Sequence, residues 1–174
     1  MWFGIGWWKA LCMLMINMND IVLDDGISML VTQKNIENVV KTSCFEAKGI
    51  KKPSLCVRFA SNEAVQQLNA EWRNKDKVTD ILSFPMQDTN DLDADEFLGD
   101  MILATAFVQE EAKRLNLSVE AHSMHLIAHA ALHLLGYDHI RDDEAEVMQR
   151  LENQVMCKLG LHQPYPEFSD EVGL

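Results

Sequence analysis

The chain has 174 residues, the length of one domain, which leaves no room for a multidomain machine. Its 48% hydrophobic and 24% charged residues, with only 8 Gly and 4 Pro, describe a globule able to bury a core, not a disordered or fibrous chain. Lys and Arg number 15 against 27 Asp and Glu, a formal net charge of -12, so the broad positive footprint of a protein that coats DNA is missing.

The opening stretch MWFGIGWWKALCMLMI is strongly apolar, interrupted at Lys9. It is shorter than the about 20 residues needed to span a bilayer and no small-x-small cleavage motif follows it. Residues 1–18 are therefore expected to be an apolar tail or a misassigned start outside the core, with no membrane association. A single folded domain is expected over 19–161 and a C-terminal tail over 162–174. The four cysteines, Cys12, Cys44, Cys56 and Cys157, form no C-x-x-C pair, which suggests reduced thiols in a cytoplasmic protein.

From residue 19 onward, strands and helices alternate. Asp20 to Asp24 reads as a short strand, and Gln33 to Ala47 as an amphipathic helix carrying Ile36, Val39, Val40 and Phe45, ended by Gly49. Leu55 to Ala60 is a strand, Asn62 to Trp72 a helix, and Arg73 to Lys77 a polar connector. Thr79 to Phe84 is a further strand, stopped by Pro85. The span from Met86 to Gly99 holds Asp88, Asp91, Asp93, Asp95 and Glu96 with no basic residue, which predicts an exposed acidic loop. Its spacing lacks the Gly and Glu of a calcium loop. Gly99 to Ala104 forms a strand, and Thr105 to Arg114 a helix. The next helix, Val119 to Leu135, is N-capped by Ser118 and stopped by Gly136. The last, Asp143 to Leu159, has Asp143 and Glu146 in capping-box spacing and a stripe of Met148, Leu151, Val155 and Leu159. The fold class is α+β: about four strands in a small mixed sheet against about five helices.

Chemistry concentrates in Met124 to Asp142, which holds His125, His129, His133 and His139. His129 and His133 stand at i and i+4 on one helix face, a spacing that lets two imidazoles hold one ion, and Gly136 can reverse the chain to bring in His139. Three neutral imidazoles leave a fourth position for water, which is the pattern of a catalytic zinc site with one ion per chain. The bland alternative, three histidines satisfied in the core, requires a separate polar partner for each buried ring. The spacing also falls on the metzincin pattern H-E-x-x-H-x-x-G-x-x-H, but Ala130 stands where a protease needs its Glu base, which argues against peptide hydrolysis.

A phosphodiester substrate suits the charge distribution. Lys34 to Lys77 carries nine basic against five acidic residues within an acidic chain. Lys51, Lys52, Arg58, Arg73 and Lys75 are candidate substrate-binding residues, joined by Lys48 and Lys77 in a possible phosphate rim. Arg73 is also the catalytic candidate, since a guanidinium can hold two phosphate oxygens and stabilise charge developing at phosphorus. The alternative is a solvated surface arginine.

Two blocks carry a resemblance. Leu68 to Pro85 (LNAEWRNKDKVTDILSFP), continuing to Leu98-Gly99-Asp100, resembles N-x-x-[YF]-R-x-K-D-x-x-T-[DN]-V-L-S-F-P, and His129 to His139 (HAALHLLGYDH) resembles H-G-x-L-H-L-x-G-Y-D-H. Both are similar to the YbeY family of bacterial single-strand-specific endoribonucleases, over roughly Asp20 to Leu161. The departures are Ala130 for the usual Gly and Ile81 for the common Val. The resemblance implies a cytoplasmic zinc nuclease acting in 16S rRNA 3'-end maturation and ribosome quality control. It further implies His129, His133 and His139 as metal ligands and Arg73 as the functional arginine. Implied partners are single-stranded RNA, rRNA above all, and the small ribosomal subunit or its proteins, without DNA. The alternative is a zinc-containing rRNA-binding assembly factor that does not cleave.

Overall fold

Alternating apolar residues in four short segments build one sheet, and the helices between them cover both of its faces. In the computed structural model, residues 19–89 and 91–171 are described; the expectations for 1–18 and for the last three residues lie outside them. The strands are β1 (Asn19–Leu23), β2 (Ser54–Ala60), β3 (Ile81–Pro85) and β4 (Phe97–Ala104). The helices are α1 (Gln33–Lys48), α2 (Asn62–Arg73), α3 (Thr105–Arg114), α4 (Val119–Leu134) and α5 (Asp142–Lys158), with a 3-10 turn at Pro166–Glu171. The order across the sheet is β1-β2-β4-β3, with β1, β2 and β4 parallel and β3 antiparallel to β4. This is the mixed four-stranded sheet with five helices that the pattern predicts.

Strand parity divides the core in two. Leu55, Val57 and Phe59 of β2 and Met101 and Leu103 of β4 face a large cluster with Ile36, Val39 and Val40 of α1, Ile127, Ala131 and Leu134 of α4, and Val155 of α5. Ala60, Leu82, Ile102 and Ala104 face the other way, onto Val65 of α2. Ten residues of α4 are buried, including His122 and Ser123, so α4 is the central helix. It is enclosed by α1, α3, α5 and the β3–β4 side of the sheet.

Helix ends follow the predicted chemistry in most places. Ser118 Oγ accepts from the Ala121 amide, and Gly49, in the left-handed region at φ 71°, closes α1. Several boundaries move by one or two residues, among them β4, which starts at Phe97, and β3, which runs through Pro85; two shifts have a visible cause. β3 starts at Ile81 because Asp80 Oδ1 takes the Ile81 amide and the Thr79 hydroxyl, which turns the chain before pairing begins. α5 starts at Asp142, not Asp143, and its N-cap Arg141 makes no side-chain cap bond. Asp142, Asp143 and Glu144 instead place three carboxylates in the first turn, where the helix dipole favours them. The acidic segment is exposed for most of its length and organised by Gln87, whose amide bonds both the Asp93 amide and its carbonyl. Residues 162–171 pack back on α5: Asn153 bonds the Tyr165 backbone in both directions, at 2.6 and 3.0 Å. Cys44 and Cys56 are buried and Cys157 is half-buried.

Candidate metal centre and cleft

All six histidines of the chain line one cleft of about 610 Å³. His122, His125, His129 and His133 come from one face of α4, where spacings of three and four residues stack side chains turn upon turn. His139 arrives from the turn after α4. That turn depends on Gly136, at φ 89°, where a Cβ would fall 2.5 Å from Cβ of Thr89 in the acidic segment. The turn is anchored by Tyr137, whose hydroxyl donates to the Ala47 carbonyl at 3.0 Å and whose ring lies under Lys48 Nζ.

His129, His133 and His139 each bring a ring nitrogen to within 4.8 Å of the others, with ring centroids 4.6 to 5.3 Å apart. Their tautomers follow from their partners. His133 Nδ1 lies 2.9 Å from the Tyr137 carbonyl, which can only accept, so Nδ1 carries the proton and Nε2 the lone pair. His129 Nδ1 lies 3.0 Å from a carboxylate oxygen of Glu152, with the same consequence. The two Nε2 atoms then face each other at 3.0 Å, lone pair toward lone pair. That is unfavourable unless a cation lies between them. Imidazoles bound tetrahedrally to one ion at about 2.0–2.1 Å place their nitrogens about 3.3 Å apart, close to the spacing seen. The residues present thus fit a metal ion held by three imidazoles, with the cleft on its open side. Burial, followed by the neighbouring His129, pushes the His133 ring down to about 4, so it is neutral and able to ligate at physiological pH.

Arg73 lines the same cleft with Thr79, Asp80, Ile81 and Ser83. It is the last residue of α2 rather than part of the connector, and it is exposed. Asn69, buried at 2% exposure, fixes the chain beyond it: its side-chain amide donates to the Lys77 carbonyl at 2.8 Å, and its own carbonyl accepts from the amides of Asn74 and Lys75. Among the described residues Arg73 forms no ion pair, which leaves its guanidinium free for a ligand.

The other basic residues do not join it. Arg58 has the parity of Ala60 and sits on the α2 face of the sheet, opposite α4, where it grips both carboxylate oxygens of Asp24 at 2.6 and 2.9 Å. Lys51 and Lys52 precede β2 at the end of the sheet where Ser54 pairs with Phe97. The cleft is lined by Ile81, which pairs with Leu103 toward the other end. Lys51 borders a separate depression with Lys41, Glu46 and Lys158. Lys75 is exposed and outside the cleft lining.

The far half of the cleft was not legible in the sequence. It is formed by Glu111, Leu115, Leu117, His122, His125 and Leu126, closed by His162 to Tyr165 from the segment after α5. His122 Nε2 pairs with Glu111 at 3.1 Å. The i, i+3 spacing of His122 and His125 was a usable signal for half of this wall; nothing local pointed to His162 or Tyr165.

Three comparisons bear on this site. The family model described as "Endoribonuclease YbeY" matches residues 22–160. Among curated proteins named Endoribonuclease YbeY, that of Francisella tularensis subsp. mediasiatica is 44% identical over 120 residues, covering 67% of this chain and 74% of its own. That of Idiomarina loihiensis is 39% identical over 153 residues, 85% of this chain and 93% of its own, and that of Zymomonas mobilis is 38% identical over 152 residues. The solution structure of TM1509 from Thermotoga maritima shares the fold with a TM-score of 0.52 at 24% identity, covering 82% of this chain and 91% of that one.

Proposed function

The chain belongs to the YbeY endoribonuclease family, and from that premise and the geometry of the cleft we propose that it is a zinc-dependent endoribonuclease specific for single-stranded RNA. The observation that carries this reading is the meeting of three imidazoles, two with facing lone pairs, and an unpaired Arg73 in one cleft. Zinc, when bound, supplies a Lewis acid and a bound water acidic enough to ionise near neutral pH.

The chain's own residues do the rest. His129, His133 and His139 would hold the ion at the wall of the cleft, and three protein ligands suit a catalytic rather than a closed structural site. Arg73 takes two non-bridging oxygens of the scissile phosphate and stabilises the charge that grows on them, whether water or the adjacent 2'-hydroxyl attacks. Leu115, Leu117, Leu126 and Pro164, with the rings of His125 and Tyr165, offer flat apolar surface to unstacked bases. Paired bases hide those faces, so a duplex gains little here.

The same membership supports the finer reading: an rRNA substrate, processing of the 16S rRNA 3' end and ribosome quality control, contact with the small ribosomal subunit, and a cytoplasmic setting. No described helix is long and apolar enough to cross a membrane. The test is cleavage of a short single-stranded RNA and of the same sequence annealed in a duplex by zinc-loaded protein. Cleavage of the single strand alone is expected. Full zinc occupancy with neither substrate cut would instead make the metal structural and the protein an assembly factor.

A further inference from the structure

Glu152 belongs to no motif and lies on α5, 23 residues beyond His129, yet it is 1% exposed and its carboxylate is the junction of three elements. Oε1 accepts from His129 Nδ1 at 3.0 Å. Oε2 accepts from His125 Nε2 at 2.5 Å and from the Tyr165 hydroxyl at 3.3 Å. A buried carboxylate is costly unless its lone pairs are used, and here all three bonds go to groups lining the cleft.

We infer that Glu152 is the positioning residue of the metal centre, fixing His129 in the tautomer and orientation that present Nε2 to the ion. The inference rests on the metal-site reading above. An imidazole has two nitrogens and rotates about its side-chain bonds, so a ring with a free Nδ1 spends part of its time in the wrong tautomer or turned away. A carboxylate accepts and does not donate; placed at Nδ1 it selects the Nδ1–H form, and its negative charge raises the basicity of Nε2. His133 has a neutral carbonyl in the same place. The centre is therefore asymmetric, with His129 the more strongly donating ligand. Oε2 meanwhile holds His125 and Tyr165, so the same side chain joins the segment after α5 to the wall of the cleft.

The experiment has two arms. In metal-free wild-type protein, long-range 15N–1H correlation spectra should show His129 protonated at Nδ1; a His129 protonated at Nε2 overturns the inference without any variant. In the second arm, zinc affinity is measured by competition with a chromophoric chelator for wild type, Glu152→Gln and Glu152→Asp, with cooperative thermal unfolding of each metal-free protein as the control for folding. Glu152→Gln keeps the shape and removes the charge, and should weaken zinc binding by about 10- to 100-fold. Glu152→Asp, which keeps the charge, should recover part of that loss. Affinity within twofold of wild type in a cooperatively folding Glu152→Gln overturns the role of Glu152 alone, whereas a wild-type protein that binds no zinc overturns the metal reading beneath it.

Discussion

At the residue scale, Arg73 and Ala130 separate chemistry from stability. Arg73 is exposed and unpaired at the end of α2, so Arg73→Ala should change unfolding free energy by less than about 0.5 kcal/mol. Loss of its charge beside the phosphate should lower RNA cleavage by roughly 100-fold or more with zinc retained. Melting curves and single-turnover cleavage on the same samples check both halves; unchanged cleavage would retire Arg73. Ala130 is buried at the cleft wall. Ala130→Gly should keep near-normal activity at a helix cost of about 1 kcal/mol. Ala130→Glu places negative charge where phosphate approaches and should depress cleavage most at low salt. Peptide hydrolysis gained by Ala130→Glu, with RNA cleavage untouched, would contradict that geometry.

Acid stability follows from two side chains of the same centre. Burial, with His129 beside it, lowers the His133 ring to about 4, whereas the unfolded chain takes that proton near 6.5. Between those values the unfolded state binds more protons, so the contribution is complete above about pH 6.5 and is lost as pH falls toward 4. For Glu152, burial works upward, but the bonds from His125 and His129 overcome it and hold the carboxyl at about 2. Its contribution is present above about 4.5 and disappears toward pH 2. Urea midpoints of metal-free protein should therefore begin to fall near pH 6.5, and His133→Gln should flatten the fall between 6.5 and 4.

At the scale of elements, the turn after α4 decides whether His139 meets His129 and His133. Gly136→Ala forces a side chain into the left-handed region and against Thr89, at a cost of roughly 1–3 kcal/mol. It should also weaken zinc binding by displacing His139. Adding Thr89→Gly should restore part of the stability, since it removes the contact and leaves only the backbone strain. A Gly136→Ala protein with wild-type melting and zinc affinity would show that the turn is not what gathers the ligands. These three histidines were legible in the sequence because they are local: one helix face and one glycine turn place all three within eleven residues. Glu152 was not, because only the packing of α5 on α4 brings it near. The capping-box spacing at Asp143 misplaced the start of α5 by one residue, since first-turn carboxylates satisfy the dipole from several registers. The start of β3 was placed early because Thr79 and Asp80 look like strand residues, but Asp80 binds its own neighbours.

At the scale of the whole molecule, the sequence groups basic residues that the sheet then disperses. Arg58 goes to the far face by strand parity, and Lys51 and Lys52 to the far end by the direction of β2, neither of which a charge count can detect. The pairing of β2 with β4, some forty residues apart, is likewise set by tertiary packing. The consequence is measurable in salt. Each phosphate neutralised on a single strand contributes about -0.7 to the slope of log K against log salt, so binding through Arg73 alone predicts a slope of about -0.7, whereas a five-residue rim predicts about -3.5. Fluorescence anisotropy with a short single-stranded RNA distinguishes these, and a steep slope would restore the rim.

The central claim is that the three histidines and Arg73 form one metal-dependent RNA-cleaving centre. The direct test is to strip the purified protein of metal and follow cleavage of a short single-stranded RNA as zinc is added back. No cleavage is expected at the start, with activity that rises with bound zinc and levels off at one ion per chain. Cleavage that survives complete removal of metal would contradict it.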